Sequence, residues 1–114
     1  MIRKGIADVV VTAGLLFAAS ASLPARPTGD ATAGKDTYMK KCKTCHAEDG
    51  HGNDGMAKLL KTTIPPLDGN EVQKMSDADL KKIVVEGKGK MKPVQGLSDP
   101  EIDNVIAFVR TLKK

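Results

Sequence analysis

Cys42-Lys43-Thr44-Cys45-His46 constrains this chain more than any other stretch. Two thiols and an imidazole fall together at the C-x-x-C-H spacing at which a c-type haem is attached. The spacing has a physical reason. Two thioether bonds can fix the two vinyl groups of one porphyrin only if the sulfurs lie about one helical turn apart, and the adjacent His46 then points at the iron as proximal ligand. Two other chemistries use part of the pattern. A redox dithiol calls for a βαβ setting, and no convincing strand flanks the motif. A zinc site wants a fourth ligand, commonly from a second C-x-x-C or a paired His. His51 is the only other His and there is no third Cys, so zinc would have to recruit a carboxylate or keep an open position.

The 114 residues suffice for one domain. Its start is set apart. Arg3 and Lys4 precede an apolar run from Val9 to Ala19, and Ala19-Ser20-Ala21 offers a small-residue cleavage site. The run is short for a membrane span. Residues 1–21 therefore read as an export signal, which would act as an anchor if left uncleaved. Residues 22–29, with two Pro and a Gly, read as a flexible lead-in, which leaves residues 30–114 for the folded domain.

That domain is poor in core material. Tyr38 and Phe108 are its only aromatics, and there is no Trp. A chain of this size often needs a staple, and a covalently held cofactor is one. Formal charge is +4, or +3 without Arg3, Lys4 and Asp8. The lysines are interleaved with acids and form no single stripe, which argues against nucleic acid.

In chain order, a helix is expected from the N-cap type Asp30 to about Lys41, with Gly34 and Tyr38 on one face. A Gly in mid-helix costs about 1 kcal/mol against Ala, so Gly34 points to close approach of another helix. Asp49 to Gly55 can only be loop. A short helix follows around Met56 to Lys61 with Leu59 and Leu60 turned inward, then an extended stretch through Pro65-Pro66-Leu67. Ser76-Asp77-Ala78-Asp79 opens the next helix, with Leu80, Ile83 and Val84 as its stripe and Gly87 as its stop. Lys88 to Pro93 is loop. Ser98-Asp99-Pro100-Glu101 is a capping box, and Ile102, Val105, Ile106, Val109 and Leu112 trace an amphipathic last helix. The fold class is all-α.

These residues together resemble a small, monohaem, soluble cytochrome c of the class I type, over essentially the whole domain. The Gly34/Tyr38 pair is similar to the family's Gly/aromatic pair, which packs on an aromatic of the last helix, here Phe108. Pro65-Pro66-Leu67 is similar to the family's P-x-L segment, where a proline carbonyl accepts the Nδ1–H of the proximal histidine. Gly87-Lys88-Gly89-Lys90-Met91-Lys92-Pro93 resembles the loop that delivers a distal methionine, which would be Met91. Met39, Met56 and Met75 compete for that role. Met39 stands just before the motif, Met56 just after the Gly-rich loop, and Met75 at a staple position before a helix cap. Only Met91 is far enough downstream to wrap to the opposite porphyrin face. His51 is too close to His46 to do so and reads as a solvated loop residue.

The resemblance implies a small helical domain wrapped around one covalent haem c. Cys42 and Cys45 would be its thioethers, His46 and Met91 its axial iron ligands, and Pro65 and Leu67 part of its pocket. Leu59, Leu60, Leu67, Ile83 and Ile106 are candidates for burying the macrocycle. A Met/His pair blocks small ligands and raises the potential, which suits a one-electron carrier and not an enzyme. Implied with it are a bacterial periplasmic setting, a monomer, and redox protein partners (an oxidase, reductase or dehydrogenase) with an acidic face to meet Lys88, Lys90 and Lys92. Neither nucleic acid nor a small-molecule substrate is expected. Two rivals stand beside this reading: a haem peroxidase or small-ligand sensor with an open sixth position, and a membrane-tethered electron-entry subunit of a larger oxidoreductase.

Overall fold

The computed structural model describes residues 12–14 and 29–114. The export segment and lead-in expected over 1–21 and 22–29 lie outside the described residues, apart from 12–14 and Gly29. The described residues form six helices and no strand: α1 (Ala31–Lys41), α2 (Lys43–His46), α3 (Asp54–Leu60), α4 (Asn70–Gln73), α5 (Asp77–Glu86) and α6 (Asp99–Thr111). The fold is all-α, as expected.

Local chemistry sets the two helices that matter most. Asp30 caps α1, its Oδ1 accepting from the N–H groups of Thr32 at 2.8 Å and Ala33 at 3.3 Å. Lys40 and Lys41 close α1 at its negative end. Ser98 and Glu101 form the reciprocal capping box of α6, with Pro100 in its first turn. Asp30 also donates its backbone N–H to Asn104 Oδ1 at 2.8 Å, so the start of α1 is tied to α6.

The two helices cross at the backbone. A Cβ on Gly34 would run into the carbonyl of Asn104. One turn on, Tyr38 is fully enclosed and its ring lies 5.0 Å from that of Phe108, tilted by 55°. Ile102, Val105, Ile106, Ala107 and Val109 complete the buried face of α6. Burying a side chain of this size contributes about 1.5–3 kcal/mol.

The remaining segments lean on this pair. Val72 of α4 joins Val105 and Val109 in a cluster, against which Cys42, Leu67 and Leu80 pack. Lys81 of α5 reaches Asp99 and Asp103 of α6, each at 3.6 Å. The Arg110 guanidinium bonds Asp77 Oδ1 through Nε at 2.9 Å, and also takes the carbonyls of Gln73 and Met75.

Two expectations need correction. The third helix starts at Asp54 and not Met56, because Asn53 caps it by accepting the Met56 N–H at 3.1 Å. Leu59 does not turn inward: it is 73% exposed, while Leu60 is half-buried. The two adjacent side chains point about 100° apart, and on this seven-residue helix Leu60 is the one turned toward the protein. The one-turn helix α4 was not expected at all.

Candidate functional site

The motif begins where α1 ends. Cys42 is both the last cap of α1 and the first of α2, and its carbonyl accepts from Cys45 N–H at 3.2 Å and His46 N–H at 3.0 Å. One closed turn therefore separates the two half-buried thiols, both of them free. Cys42 faces the Val72, Val105 and Val109 cluster. Burial, with a smaller push from Cys45, raises its thiol to about 11. A dithiol oxidoreductase needs the opposite, a depressed thiol.

His46 closes α2. Burial lowers its pKa below the ordinary 6.5, so the ring is held neutral and ready to ligate. Its Nδ1 is buried and meets no hydrogen-bond partner, so neither proline carbonyl is within reach of it. Pro65 and Pro66 are exposed, and Leu67 is half-buried against the valine cluster. Two free thiols one turn apart and a neutral imidazole beside them fit the donor set of a c-type haem, while the proline-carbonyl contact expected for Nδ1 is not made. Among the described residues no group of three or more His, Cys, Asp or Glu is gathered as a zinc centre would require.

The backbone after His46 turns sharply. Ala47 has φ 64° and ψ 167°, a region that side-chain-bearing residues seldom enter. It is held there from both sides: its N–H donates to Lys43 O at 2.9 Å, and the Tyr38 hydroxyl donates to its carbonyl. The enclosed phenol has its pKa raised, first by burial and then by Cys42 and Asp49, so it remains a donor. The loop then folds back on the motif, Gly52 N–H donating to His46 O at 2.8 Å and Asn53 N–H to Cys45 O at 2.9 Å.

Met91 is half-buried in the loop between α5 and α6. It is paired with Lys88 through both backbone groups, at 2.9 and 3.0 Å, across a tight turn in which Gly89 takes a positive φ. Gly87, at φ 78°, lets the Met91 carbonyl come within 2.6 Å of where a Cβ would stand. Val94 N–H donates to Val84 O at 2.9 Å and pins the loop to α5. Met39, Met56 and Met75 are also half-buried, so burial does not separate the four. Lys88, Lys90 and Lys92 are exposed.

His51 is more engaged than a solvated loop residue. Its Nε2 is 2.7 Å from Asp68 Oδ2 and its Nδ1 3.2 Å from Asp49 Oδ2, while Lys114 Nζ lies 3.4 Å from the same Asp68 oxygen. This cluster joins the loop after the motif to the segment after Leu67. Sequence reasoning also missed Gln73, Arg110 and the Tyr38 hydroxyl, which bond backbone carbonyls brought to them by the fold.

Known proteins are similar to this chain. The family model described as cytochrome C oxidase, cbb3-type, subunit III matches residues 29–109. Cytochrome c-554(547) of Halothiobacillus neapolitanus is 35% identical over 98 residues, covering 75% of this chain and 99% of that protein. Among solved structures, the KustC0563 c-type cytochrome superposes with a TM-score of 0.60 at 31% identity, over 71% of this chain and 98% of that one.

Proposed function

The chain belongs to the cytochrome c family, whose cofactor is a covalently bound c-type haem with its iron, and from that premise we propose that it is a periplasmic one-electron carrier with His46 and Met91 as axial ligands. Electron transfer through the haem is the family's activity. The finer assignments rest on this chain's own residues. Cys42 and Cys45, one closed turn apart, would hold the porphyrin by thioethers. His46, kept neutral by burial, ligates the iron. Met91 would offer its sulfur to the iron from a turn fixed by its two bonds to Lys88 and by Gly87. Pro65 and Leu67 border the pocket. The haem supplies an iron that moves between ferrous and ferric states; the protein supplies ligands, a low dielectric and a docking face.

The observation that carries this reading is the turn Cys42–His46, with its two free thiols and neutral imidazole, in a chain of this family. Residues 1–21 act as the export signal. Among the described residues no helix is long and apolar enough to cross a membrane. Partners are redox proteins. Lys88, Lys90 and Lys92 flank Met91, and the Lys41 ammonium lies by Gly96 on the same loop, a basic rim suited to an acidic partner.

One set of holoprotein variants tests the ligand. Met91→Ala should abolish the weak red-edge sulfur-to-iron band of the ferric form and let cyanide or azide bind, with Lys90→Glu slowing transfer to an acidic partner but sparing the spectrum. Loss of the band in a Met39, Met56 or Met75 variant would move the ligand elsewhere. A wild type that already binds azide tightly would favour the peroxidase or sensor reading.

A further inference from the structure

Gln73 ends α4, and its amide nitrogen donates to two main-chain carbonyls, Leu67 O at 2.8 Å and Val109 O at 3.0 Å. Two carbonyl acceptors settle which end of the amide faces them, since the reversed amide would set oxygen against oxygen. Arg110 answers in the other direction, donating to the Gln73 carbonyl at 2.9 Å. The two side chains thus link α4 and α6 reciprocally. Gln73 reaches the Pro65–Leu67 stretch as well, whereas Arg110 reaches instead to the Met75 carbonyl and to Asp77 at the start of α5.

That stretch borders the haem motif through a short relay. Leu67 donates its own N–H to Gly50 O at 2.8 Å, so its main chain is gripped from both sides. Gly50 and Gly52 lie against Leu67 and Ile64, where added Cβ atoms would come within 3.3 and 3.4 Å of those side chains. The same loop hangs from the carbonyls of His46 and Cys45. Leu67 meanwhile packs with Cys42 on the Val72, Val105 and Val109 cluster. Position is therefore transmitted from α6 through Gln73 to Leu67, and from Leu67 to the loop that closes on His46.

We propose that Gln73 is a positioning residue for the haem: its amide sets where the Pro65–Leu67 segment stands against the motif, and so tunes the axial histidine and the potential. The proposal rests on His46 as axial ligand. Groups around a ligating histidine orient its ring and adjust its basicity. A leucine at position 73 would leave the Leu67 carbonyl without this donor, whereas the Val109 carbonyl would keep the Leu112 N–H at 3.1 Å.

The test uses the holoprotein and three readouts: midpoint potential by spectroelectrochemistry, g-values of the ferric form by low-temperature electron paramagnetic resonance, and thermal midpoint. Gln73→Leu should shift the potential and the g-values. Arg110→Gln loosens the same link between α4 and α6 but leaves the Gln73 amide in place, so it should lower the thermal midpoint and leave the other two unchanged. If Gln73→Leu does not fold, Gln73→Glu keeps the shape, and its potential should step with pH as the carboxylate ionises against two carbonyls, a step absent from the wild type. A Gln73→Leu protein that is merely less heat-stable, or a Gln73→Glu protein without the added step, would overturn the proposal. A wild type lacking a low-spin, histidine-ligated ferric signal would remove the His46 reading itself, and that result is visible before any substitution.

Discussion

The α1–α6 pair and the stretch from Asp49 to Leu97 are built on different principles. Of the eight buried hydrophobic residues among those described, Tyr38 lies on α1 and six lie on α6; only Val72 comes from between. The pair is held by close-packed surface and a glycine contact. The intervening stretch adds to its few packed residues, Val72, Leu67 and Leu80, a set of separate polar bonds: His51 and Lys114 to Asp68, Gln73 to Leu67, Leu67 to Gly50, and Lys88 to Met91. Packing tolerates no gap, whereas a set of single bonds can be adjusted one at a time. The half that carries the proposed pocket and distal ligand is thus the half that contributes least to the α1–α6 core.

Substitutions on either side of this divide should behave differently. The largest effect is expected at Gly34. Gly34→Ala drives a methyl into the Asn104 carbonyl, and backbone on one side and a packed helix on the other leave little room to relax. A loss of about 3 kcal/mol follows, read as a lower denaturant midpoint with an unchanged slope. An unchanged midpoint would mean that the helices can slide apart cheaply and that the pair is no more rigid than the loops.

A smaller effect of opposite sign is expected at the junction between the halves. Ala47 is strained by its positive φ, a cost of about 1–3 kcal/mol that glycine escapes. Glycine also gives the unfolded chain more freedom, which offsets about 0.4–1 kcal/mol of that relief. Ala47→Gly should therefore stabilise by about 1 kcal/mol and raise the thermal midpoint by about 4–8 °C. A lower midpoint would show that the turn after His46 carries no strain.

The smallest effect lies in the polar half and depends on pH. Asp68 has its pKa lowered below 3.8, first by the hydrogen bond from His51 and further by Lys114. A depressed carboxyl contributes stability in full above its unfolded value and loses it as pH falls through the folded one. Wild-type thermal midpoints should therefore sag below about pH 4, and Asp68→Asn should flatten that part of the curve. Equal acid slopes for the two proteins would leave the His51 cluster without thermodynamic weight.

Most of the helical frame was legible in the sequence because its signals are local. Asp30, Ser76, Ser98 with Glu101, and Gly87 mark boundaries through bonds within a few residues, and each stands where expected. The stripe Ile102, Val105, Ile106 and Val109 is buried as its spacing requires. The motif is likewise local, which is why the haem could be read from it. What escaped was non-local or too short to show a period. α4 is one turn with no side-chain cap, Ala47 is a helix-favouring residue in a strained turn, and Gln73 looks like any surface amide until Leu67 and Val109 are brought to it. Leu59 failed because two adjacent leucines cannot reveal which one faces in.

Where the Gly34–Asn104 crossing falls along the chain also orders events in time. A polypeptide that emerges N-terminus first presents Cys42 to His46 long before Asn104 and Phe108 have appeared. Bringing such distant partners together costs about 4 kcal/mol of chain entropy by loop-closure scaling, and nothing repays it until the last helix is out. During that interval the motif lies on open chain, reachable by whatever machinery joins a porphyrin to its thiols. Arrival of α6 then brings Asn104 and Phe108 onto Gly34 and Tyr38 and closes the pair.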